Sequence, residues 1–249
     1  LKPSHPPSSP GFYDEADGTL YLMPNGTDML QQDLVATHLE TLVSVEGTRD
    51  EPVRDVLLVN LTFRHAAATF LQPYEVPGGG DQSIYRGAAV FLEGTENVTV
   101  ASCLFDSLDG NAVMLSRYNN HSSVVGCEFV GTGDASIALL GAAHLINGTD
   151  YPVNSYVAYN LLRDGGIFSK NYLGGAIFQA LAARSTIRGN IIFNTPRSCM
   201  TFNDNFGGGD VTDSNVLFVV LFLLKKRRKR KREKERKKER KKQCAWGGG

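Results

Sequence analysis

A short apolar strand that ends in a large residue recurs along the chain, and this repeat most limits what the chain can fold into. The last residues of these strands are 42, 24, 33, 31 and 25 residues apart. Spacings of 24 to 33 residues match one coil of a solenoid, and the longest gap contains a Pro/Gly-rich excursion at 73–83. The six strands are NLTF (60–63), SCLF (102–105), GCEF (126–129), YNLL (159–162), NIIF (190–193) and NVLF (215–218).

A second short strand follows the middle repeats, after a corner rich in glycine or aspartate. Strand, corner and strand together form the plan of one coil. Helical periodicity is scarcely visible before residue 216, and the strands are rich in β-branched and aromatic residues. The sequence therefore predicts an all-β fold, a parallel β-helix solenoid. The second strands are NAVMLSR (111–117), ASIALLG (135–141), GAIFQAL (175–181) and SCMTFND (198–204).

Aligning the repeats by their last apolar residue predicts columns of stacked side chains. Cys103 falls over Cys127, and Phe105 falls over Phe129, with Phe193 and Phe218 continuing the phenylalanine column. Parallel strands lie about 4.8 Å apart, so like residues in register form core ladders. A disulfide between the two cysteines is an alternative, but an unlinked ladder is the expectation.

The second strands place polar residues in two clusters when they are aligned on their large apolar residues. We treat Leu115, Leu139, Phe178 and Phe202 as equivalent anchors. The first cluster lies five residues before the anchors and contains Asp109 beside Gly110, Asp134, Leu173 and Arg197. The second cluster follows the anchors and contains Ser116, Arg117, Gln179, Asn203 and Asp204.

Carboxylates on neighbouring coils suit acid/base chemistry. The coil spacing of about 4.8 Å approaches the roughly 5 Å separation of a retaining glycosidase pair. Carboxylates two coils apart approach the separation of an inverting pair. A catalytic pair drawn from Asp109, Asp134 and Asp204 is therefore one hypothesis.

Turn formation is the simpler interpretation for several of the acidic residues. Aspartate and asparagine commonly cap turns, so we expect a turn role for Asp106, Asp109 and Asp164. Asp204 differs because the segment FNDNF (202–206) holds three consecutive polar residues between aromatics, ahead of a glycine run. Such a segment can bind a sugar, with aromatics on its apolar face and polar groups on its hydroxyls.

Several other kinds of site are absent from the sequence. It contains no nucleophile elbow, zinc-protease motif, P-loop or dinucleotide fingerprint, and its five histidines never fall at ligand spacing. The two GGGD runs at 78–81 and 207–210 favour plain turns over phosphate cradles. We therefore expect no metal and no cofactor.

The formal charge of zero hides two very different parts of the chain. The run at 225–242 holds 15 of the 26 Lys and Arg residues and 3 of the 26 Asp and Glu residues. The remainder has 11 basic and 23 acidic residues, a net charge of −12. An acidic body repels polyanions, so the β-helix is not expected to bind nucleic acid.

The C-terminal tail departs from the repeat. VLFVVLFLL (216–224) has nine apolar residues, too few for the roughly 20 that span a bilayer. The basic run suits a nuclear localisation signal, an RNA-binding arm or a lipid-binding patch. Its low complexity and abrupt start inside a repeat favour translated intron or a frame-shifted gene end.

Several segments together resemble a group of right-handed parallel β-helix proteins of the pectate-lyase-like kind. This group is similar to a glycoside hydrolase family that acts on plant cell-wall polysaccharides, with xylan and fucosylated pectin among its substrates. The resemblance runs almost continuously from Phe12 to Phe218. It is carried by TFRHA (62–66), GAAVFLEGTENVTVASCLFDSLDGNAVMLS (87–116), CEFVGTGDASIALLG (127–141), AIFQA (176–180) and, most specifically, GNIIFNTPRSCMTFNDNFGGGD (189–210).

The resemblance implies a carbohydrate-active protein whose partner is a polysaccharide or oligosaccharide. It points to Gln179, Arg197, Asn203 and Asp204 as residues that line a cleft. In the related proteins the strand that opens like NVLF continues into further acidic and aromatic residues, which the tail replaces here, so loss of activity is expected. A noncatalytic polysaccharide-binding or cell-surface module is the alternative, and a polysaccharide lyase is a weaker one.

Organisation and location complete the sequence-based expectations. Residues 1–11 form a Pro/Ser-rich lead-in, 12–218 the β-helix and 219–249 the tail, and Asp17-Gly18 predicts a hairpin. The chain begins without Met or a signal peptide, so a missing natural N-terminus is expected. Five glycosylation sequons favour an extracellular or cell-surface protein, at Asn25, Asn60, Asn97, Asn120 and Asn147.

Overall fold

The computed structural model describes residues 11–14, 16–22, 35–75, 83–142, 150–168, 175–202 and 216–221. These residues form 20 strands and no helix, so the fold is all-β as predicted. No helix long and apolar enough to cross a membrane occurs among them. The chain divides into two compact units, Leu1–Ala36 and Thr37–Gly249.

The first unit contains the predicted hairpin. Strands β1 (Gly11–Asp14) and β2 (Thr19–Leu22) pair antiparallel. Gly18 adopts a φ of +70°, and the Asp17 carboxylate accepts a hydrogen bond from the N–H of Thr19 at 2.8 Å. Glycine meets the positive φ without a Cβ penalty, which explains why Asp-Gly closes this turn.

The second unit is a stack of six coils whose strands all pair in parallel. The first two coils contain β3 (Val43–Glu46), β4 (Val53–Arg54), β5 (Leu57–Val59) and β6 (Thr62–Arg64), then β7 (Val90–Glu96), β8 (Thr99–Ala101) and β9 (Leu104–Leu108). The third and fourth contain β10 (Val113–Asn120), β11 (Ser123–Val125) and β12 (Glu128–Thr132), then β13 (Ile137–Leu140), β14 (Pro152–Val153), β15 (Tyr156–Ala158) and β16 (Leu161–Arg163). The last two contain β17 (Ile177–Ala180) and β18 (Thr186–Phe193), then β19 (Met200–Phe202) and β20 (Val216–Leu221).

Equivalent strands of successive coils form three ladders. The first ladder runs β3-β7-β10-β13-β17-β19. The second runs β5-β8-β11-β15-β18 and the third β6-β9-β12-β16-β18, joined through the long strand β18, and β20 pairs with β18 across both. Strand β20 continues to Leu221, beyond the residue at which the repeat was expected to end. This parallel-strand architecture is that of a β-solenoid.

Apolar side chains fill the space between the ladders. The rings of Phe63, Phe105 and Phe129 stack with centroid separations of 4.9 and 4.6 Å, which confirms the predicted Phe105–Phe129 pair. The column continues through Leu162 and Ile192. The prediction that Phe193 and Phe218 continue it is wrong, because Phe193 pairs with Arg163 and the Phe218 backbone pairs with Arg188.

A polar column runs beside the phenylalanines and begins with the two cysteines. Cys103 and Cys127 are buried and unlinked, as expected of a ladder. In the next coil Asn160 accepts the N–H of Cys127 at 2.9 Å and donates to the Val124 carbonyl at 2.9 Å. Asn190 makes the equivalent bond one coil later, because its amide oxygen accepts a hydrogen bond from the Asn160 N–H at 3.0 Å. The asparagines thus bond the backbone of adjacent coils within the core.

Single residues with a left-handed backbone turn the chain at the coil corners. Between the second and third ladders the corner residue has a φ of +52° to +64° in each of the first five coils. Between the third ladder and the next segment it has a φ of +57° to +68°. The corner residues are Asn60, Ser102, Gly126, Tyr159 and Gly189 at the first corner, and His65, Ser107, Gly131, Asp164 and Asn194 at the second.

Substitutions of Gly126 test which residue types the left-handed backbone at this corner accepts. A Cβ built on Gly126 meets only the Ser102 hydroxyl, at 4.0 Å, so strain at a substituted residue would come from its φ of +63°. We expect Gly126→Val to lower the free energy of unfolding by about 2 kcal/mol, because a β-branched residue is disfavoured there. Gly126→Asn should stay close to wild type, and equal urea midpoints for the two variants would contradict this account.

Cysteine reactivity tests the burial of the ladder. Burial raises the pKa of the Cys127 thiol from 9.0 to about 11, so at pH 8 it is almost wholly protonated and a poor nucleophile. We expect iodoacetamide to label half-buried Cys199 before Cys103 or Cys127 in native buffer, as measured by peptide mass spectrometry. Adding urea should equalise the three, and native labelling of Cys127 as fast as Cys199 would contradict the structure.

Candidate functional site

One corner of the solenoid, between the end of the third ladder and the start of the first, brings together three of the predicted polar residues. We name it the acidic corner. Its described segments are 65–72, 109–112, 133–136, 164–168 and 194–199, one from each of the first five coils. Asp109, Asp134 and Arg197 all lie in these segments, so the structure brings three of the predicted site residues to one edge.

Asp109 and Asp134 lie on adjacent coils in close contact. The N–H of Asp134 donates to the Gly110 carbonyl at 3.2 Å, and the N–H of Gly133 donates to the Leu108 carbonyl at 2.6 Å. A Cβ on Gly133 would collide with the Asp109 carbonyl oxygen, so only glycine allows this approach. Asp109 is half-buried, whereas Asp134 is 5% exposed. Asp109 is the more accessible carboxylate of the two.

The main chain at Asp134 is fixed by both neighbouring coils. Its carbonyl oxygen accepts the Thr132 hydroxyl at 3.1 Å and the Gly166 N–H at 3.2 Å. The Thr132 hydroxyl also lies 3.0 Å from the hydroxyl of buried Ser136. Satisfied buried hydroxyls of this kind make the corner rigid.

A small cavity opens at the acidic corner between the fourth and fifth coils. Its volume is about 240 Å³, and the Asp164 carboxylate on its wall accepts a hydrogen bond from the Asn194 amide. Arg163 lies 3.5 Å from the same carboxylate. The cavity is shallow and open to solvent, so it offers a contact surface and not an enclosed pocket. The lining residues are Asp164, Gly165, Gly166, Ile167, Asn194, Thr195 and Pro196.

Two exposed phenylalanines stack on each other at this corner, and one of them, Phe168, follows the cavity residue Ile167 in the chain. Phe70 and Phe168 stack with their ring centroids 5.8 Å apart and an interplanar angle of 17°. They are 47% and 41% exposed, and Ile167, which also lines the cavity, is 40% exposed. The Phe168 N–H donates to the Gly133 carbonyl at 3.0 Å, so the pair is tied to the turn that contains Asp134. Exposed aromatics grouped in this way indicate a contact surface.

Of the three aspartates expected in turns, two lie in turns and one lies in a strand. Asp164 has a φ of +57° at a corner, and Asp109 follows the end of β9, so both occupy turn segments. The turn prediction for Asp106 is wrong, because this residue lies inside β9. Its carboxylate pairs with Arg64 on the preceding coil at 3.0 Å.

Gln179 lies in a different place from the one expected. The predicted anchor Phe178 pairs with Ala138, and Gln179 takes the anchor position, between Leu139 and Phe202. Gln179 is fully buried on the same strand face as core residue Ile177, and neither polar atom of its amide has a hydrogen-bond partner among the described residues. Its buried amide does not line a cleft formed by the described residues. Asn203 and Asp204, the other predicted cleft residues, lie outside the described residues.

The opposite edge of the first ladder holds Ser116 and Arg117 in an ionic network. Arg86 donates through all five guanidinium N–H groups, twice to Glu75 at 2.6 Å. It also bonds Ser116 at 2.8 Å and two carbonyls, those of Leu140 at 3.2 Å and Gly141 at 2.8 Å. Ser116 in turn donates to Glu93 at 2.6 Å, and Arg117 also binds Glu93. The polar groups at this edge bond to one another, so we assign them a role in stabilising the fold.

Removing the central guanidinium should cost stability. Arg86 is 11% exposed at its side chain, so Arg86→Ala leaves buried acceptors and Glu75 without their donor. We expect the free energy of unfolding to fall by about 3 kcal/mol, and Arg86→Lys should recover only part of this. Arg117→Ala removes an ion pair whose arginine is 48% exposed and should cost less than about 1 kcal/mol. Equal losses in urea denaturation would contradict this assignment.

Metal binding finds no support in the part of the chain that the structure describes. No group of three or more His, Cys, Asp or Glu side chains there is arranged to hold a metal ion.

The sequence patterns missed Phe70, Phe168 and the cavity. The repeat was defined by its strands and acidic corners, and Phe70 lies in ATFLQ (68–72), between the first repeat strand and the excursion at 73–83. Phe168 follows the corner DGGI (164–167). An aromatic residue directly after a glycine-rich corner is the sequence feature that could have identified it as an exposed contact residue. Their contact joins the first and fourth coils, which no single repeat reveals.

Comparison with known proteins supports the architecture. No protein-family model matches the chain, and no curated protein matches it. Among solved structures, a protein described as a glycoside hydrolase aligns with a TM-score of 0.65 and 17% sequence identity, over 78% of this chain. The chain spans 39% of the length of that protein. At this identity the similarity establishes a shared fold of parallel-strand coils.

Proposed function

We propose that the chain is a right-handed parallel β-helix of the pectate-lyase-like kind that binds polysaccharide or oligosaccharide at the acidic corner. One observation carries the proposal: a small open cavity and an exposed aromatic pair, joined through the neighbouring residues Ile167 and Phe168, lie at the edge that also contains Asp109 and Asp134. The fold shared with a glycoside hydrolase supports it. An extracellular or cell-surface location belongs to the same proposal.

The chemistry of the corner suits a sugar ring. A pyranose has apolar C–H faces and hydroxyls at its edge, so it needs an aromatic surface beside hydrogen-bond donors and acceptors. Phe70 and Phe168 offer the aromatic surface, while Asp164 and Asn194 offer polar atoms in the cavity. The net charge of −12 outside the basic run favours a neutral or cationic glycan over a polyanionic one.

Glycoside hydrolysis is the proposed reaction. Asp109 and Asp134 stand on adjacent coils, whose spacing of about 4.8 Å is near that of a retaining pair. Asp134, being buried, suits the general acid, and half-buried Asp109 suits the nucleophile. Asp204 remains a third candidate, and Arg197 and Asn203 are proposed to orient sugar hydroxyls.

A noncatalytic polysaccharide-binding module is the second candidate. The observation that favours it is burial, because Asp134 is 5% exposed and Gln179 is fully buried. Neither side chain meets a bound polymer directly at that exposure. The aromatic pair and the cavity would then carry binding alone.

Binding is tested with a panel of plant and algal glycans. We expect Phe168→Ala to weaken binding of any recognised glycan about tenfold, the effect of losing roughly 1.4 kcal/mol of aromatic contact. Tyr159→Asn is the matched control, since Tyr159 is a 54% exposed aromatic at another corner with a φ of +58° that asparagine accepts. Equal loss in both variants, or no binding to any glycan, would refute the proposed surface.

Release of reducing sugar separates the two candidates. If the wild-type chain hydrolyses a bound glycan, Asp109→Asn should lower kcat at least about a hundredfold with little change in affinity. Binding without release of sugar would support the noncatalytic module. Full activity in Asp109→Asn would remove Asp109 from the catalytic pair.

A further inference from the structure

The described residues contain three of the five glycosylation sequons, and the structure gives their asparagines different surroundings. Asn60 lies at the corner between the second and third ladders of the first coil, with a φ of +55°. Asn97 lies at the corner before β8, with a φ of +53°. Asn120 ends strand β10, between Glu96 and Val153 of the adjacent coils. A glycan requires an amide nitrogen that points freely into solvent.

Asn60 meets this requirement most fully. Its side chain is exposed, and it makes no hydrogen bond with another described residue. Its backbone is held, because its N–H donates to the Ala101 carbonyl at 3.2 Å. Thr62, the hydroxyl residue of the sequon, is also exposed. A sugar on this amide would displace nothing in the fold.

The side chain of Asn97 is exposed, but its amide already makes a hydrogen bond within the fold. Its amide nitrogen donates to the Asp55 carboxylate at 2.6 Å across adjacent coils. A glycan replaces one of the two hydrogens on that nitrogen and leaves one for Asp55. Modification therefore limits the orientation of the amide at this site.

Asn120 is unsuitable on two grounds. Its side chain is half-buried, and its amide oxygen accepts a hydrogen bond from Asn154 on the next coil at 2.9 Å. The sequon serine, Ser122, is 1% exposed. A glycan here would have to pass between stacked coils and break their register.

Asn60 lies at the edge of the sheet, where a glycan would oppose association with other chains. Strand β5, just before Asn60, is the end strand of its ladder among the described residues. Leu57, Val59 and Leu61 are 60%, 42% and 43% exposed around it. An apolar strand at a sheet edge promotes association with other chains, and a bulky polar group beside it opposes this.

We infer that Asn60 is an N-glycan acceptor of this fold and that Asn120 is not, with Asn97 modified to a lower extent than Asn60. The reaction forms a bond between the Asn60 amide nitrogen and C1 of the sugar. It breaks the bond from that carbon to a lipid-diphosphate donor, which leaves as the lipid diphosphate while the amide loses one proton. The inference rests on the extracellular or cell-surface location of the proposed function, but it does not depend on glycan binding or hydrolysis at the acidic corner.

Expression of the full chain through the secretory route of a eukaryotic host tests the inference. The folded, secreted fraction is treated with peptide N-glycosidase in ¹⁸O water, which converts each glycosylated asparagine to labelled aspartate, and peptides are quantified by mass spectrometry. We expect label at Asn60 in most molecules, less at Asn97 and none at Asn120. Asn60→Gln should remove one glycan from the intact mass, whereas Asn120→Gln should leave the intact mass pattern unchanged apart from the substitution.

Each result bears directly on the inference. No label at Asn60, or label at Asn120 equal to that at Asn60, would overturn it. Failure of Asn60→Gln to be secreted would not hide the answer, because wild-type peptides report occupancy at every site in the same sample. Loss of secretion on Asn60→Gln, together with label at Asn60 in wild type, would further support a protective glycan at the first coil.

Discussion

Parallel pairing of each strand with its equivalent in the next coil is the constraint on which the other features depend. It places Phe63, Phe105 and Phe129 in one stack, and it brings Asn160 over Asn190 so that each bonds the backbone of a neighbouring coil. Register is maintained at the corners by residues with left-handed backbones, which turn the chain within a single residue. The same pairing brings aspartates far apart in sequence to the acidic corner.

The sequence predicted the all-β repeat, the unlinked cysteine ladder and the first aromatic pair, because like residues recur at those positions. The predicted register was wrong by one residue at Phe178 and at Phe193. The alignment used the last large apolar residue of each strand, but the actual marker of register is the polar corner. Asn160 and Asn190 each follow a residue with positive φ, and aligning on them gives the observed register.

The one-residue error at Phe178 has a physical consequence for Gln179. In a strand, adjacent residues point to opposite faces, so a shift of one moves a side chain from the surface to the core. Gln179 then replaces leucine in the interior column, where its amide lies between Leu139 and Phe202. Asp109 and Asp134 come to one corner because the anchors Leu115 and Leu139 that follow them are in register. Their aromatic neighbours were missed because Phe70 and Phe168 meet across three coils.

The corner segments differ greatly in length, and this bears on how such a protein can be altered. Between the end of the third ladder and the start of the first, the chain has four residues in 109–112 and 133–136 but 25 in 65–89, while the second and third ladders are joined by a turn of nearly constant length. Chain length has therefore been added at one edge without moving the strands on either side. A peptide inserted at the corner segment 164–168 would alter which molecules the solenoid recognises, with its stacked core left as it is.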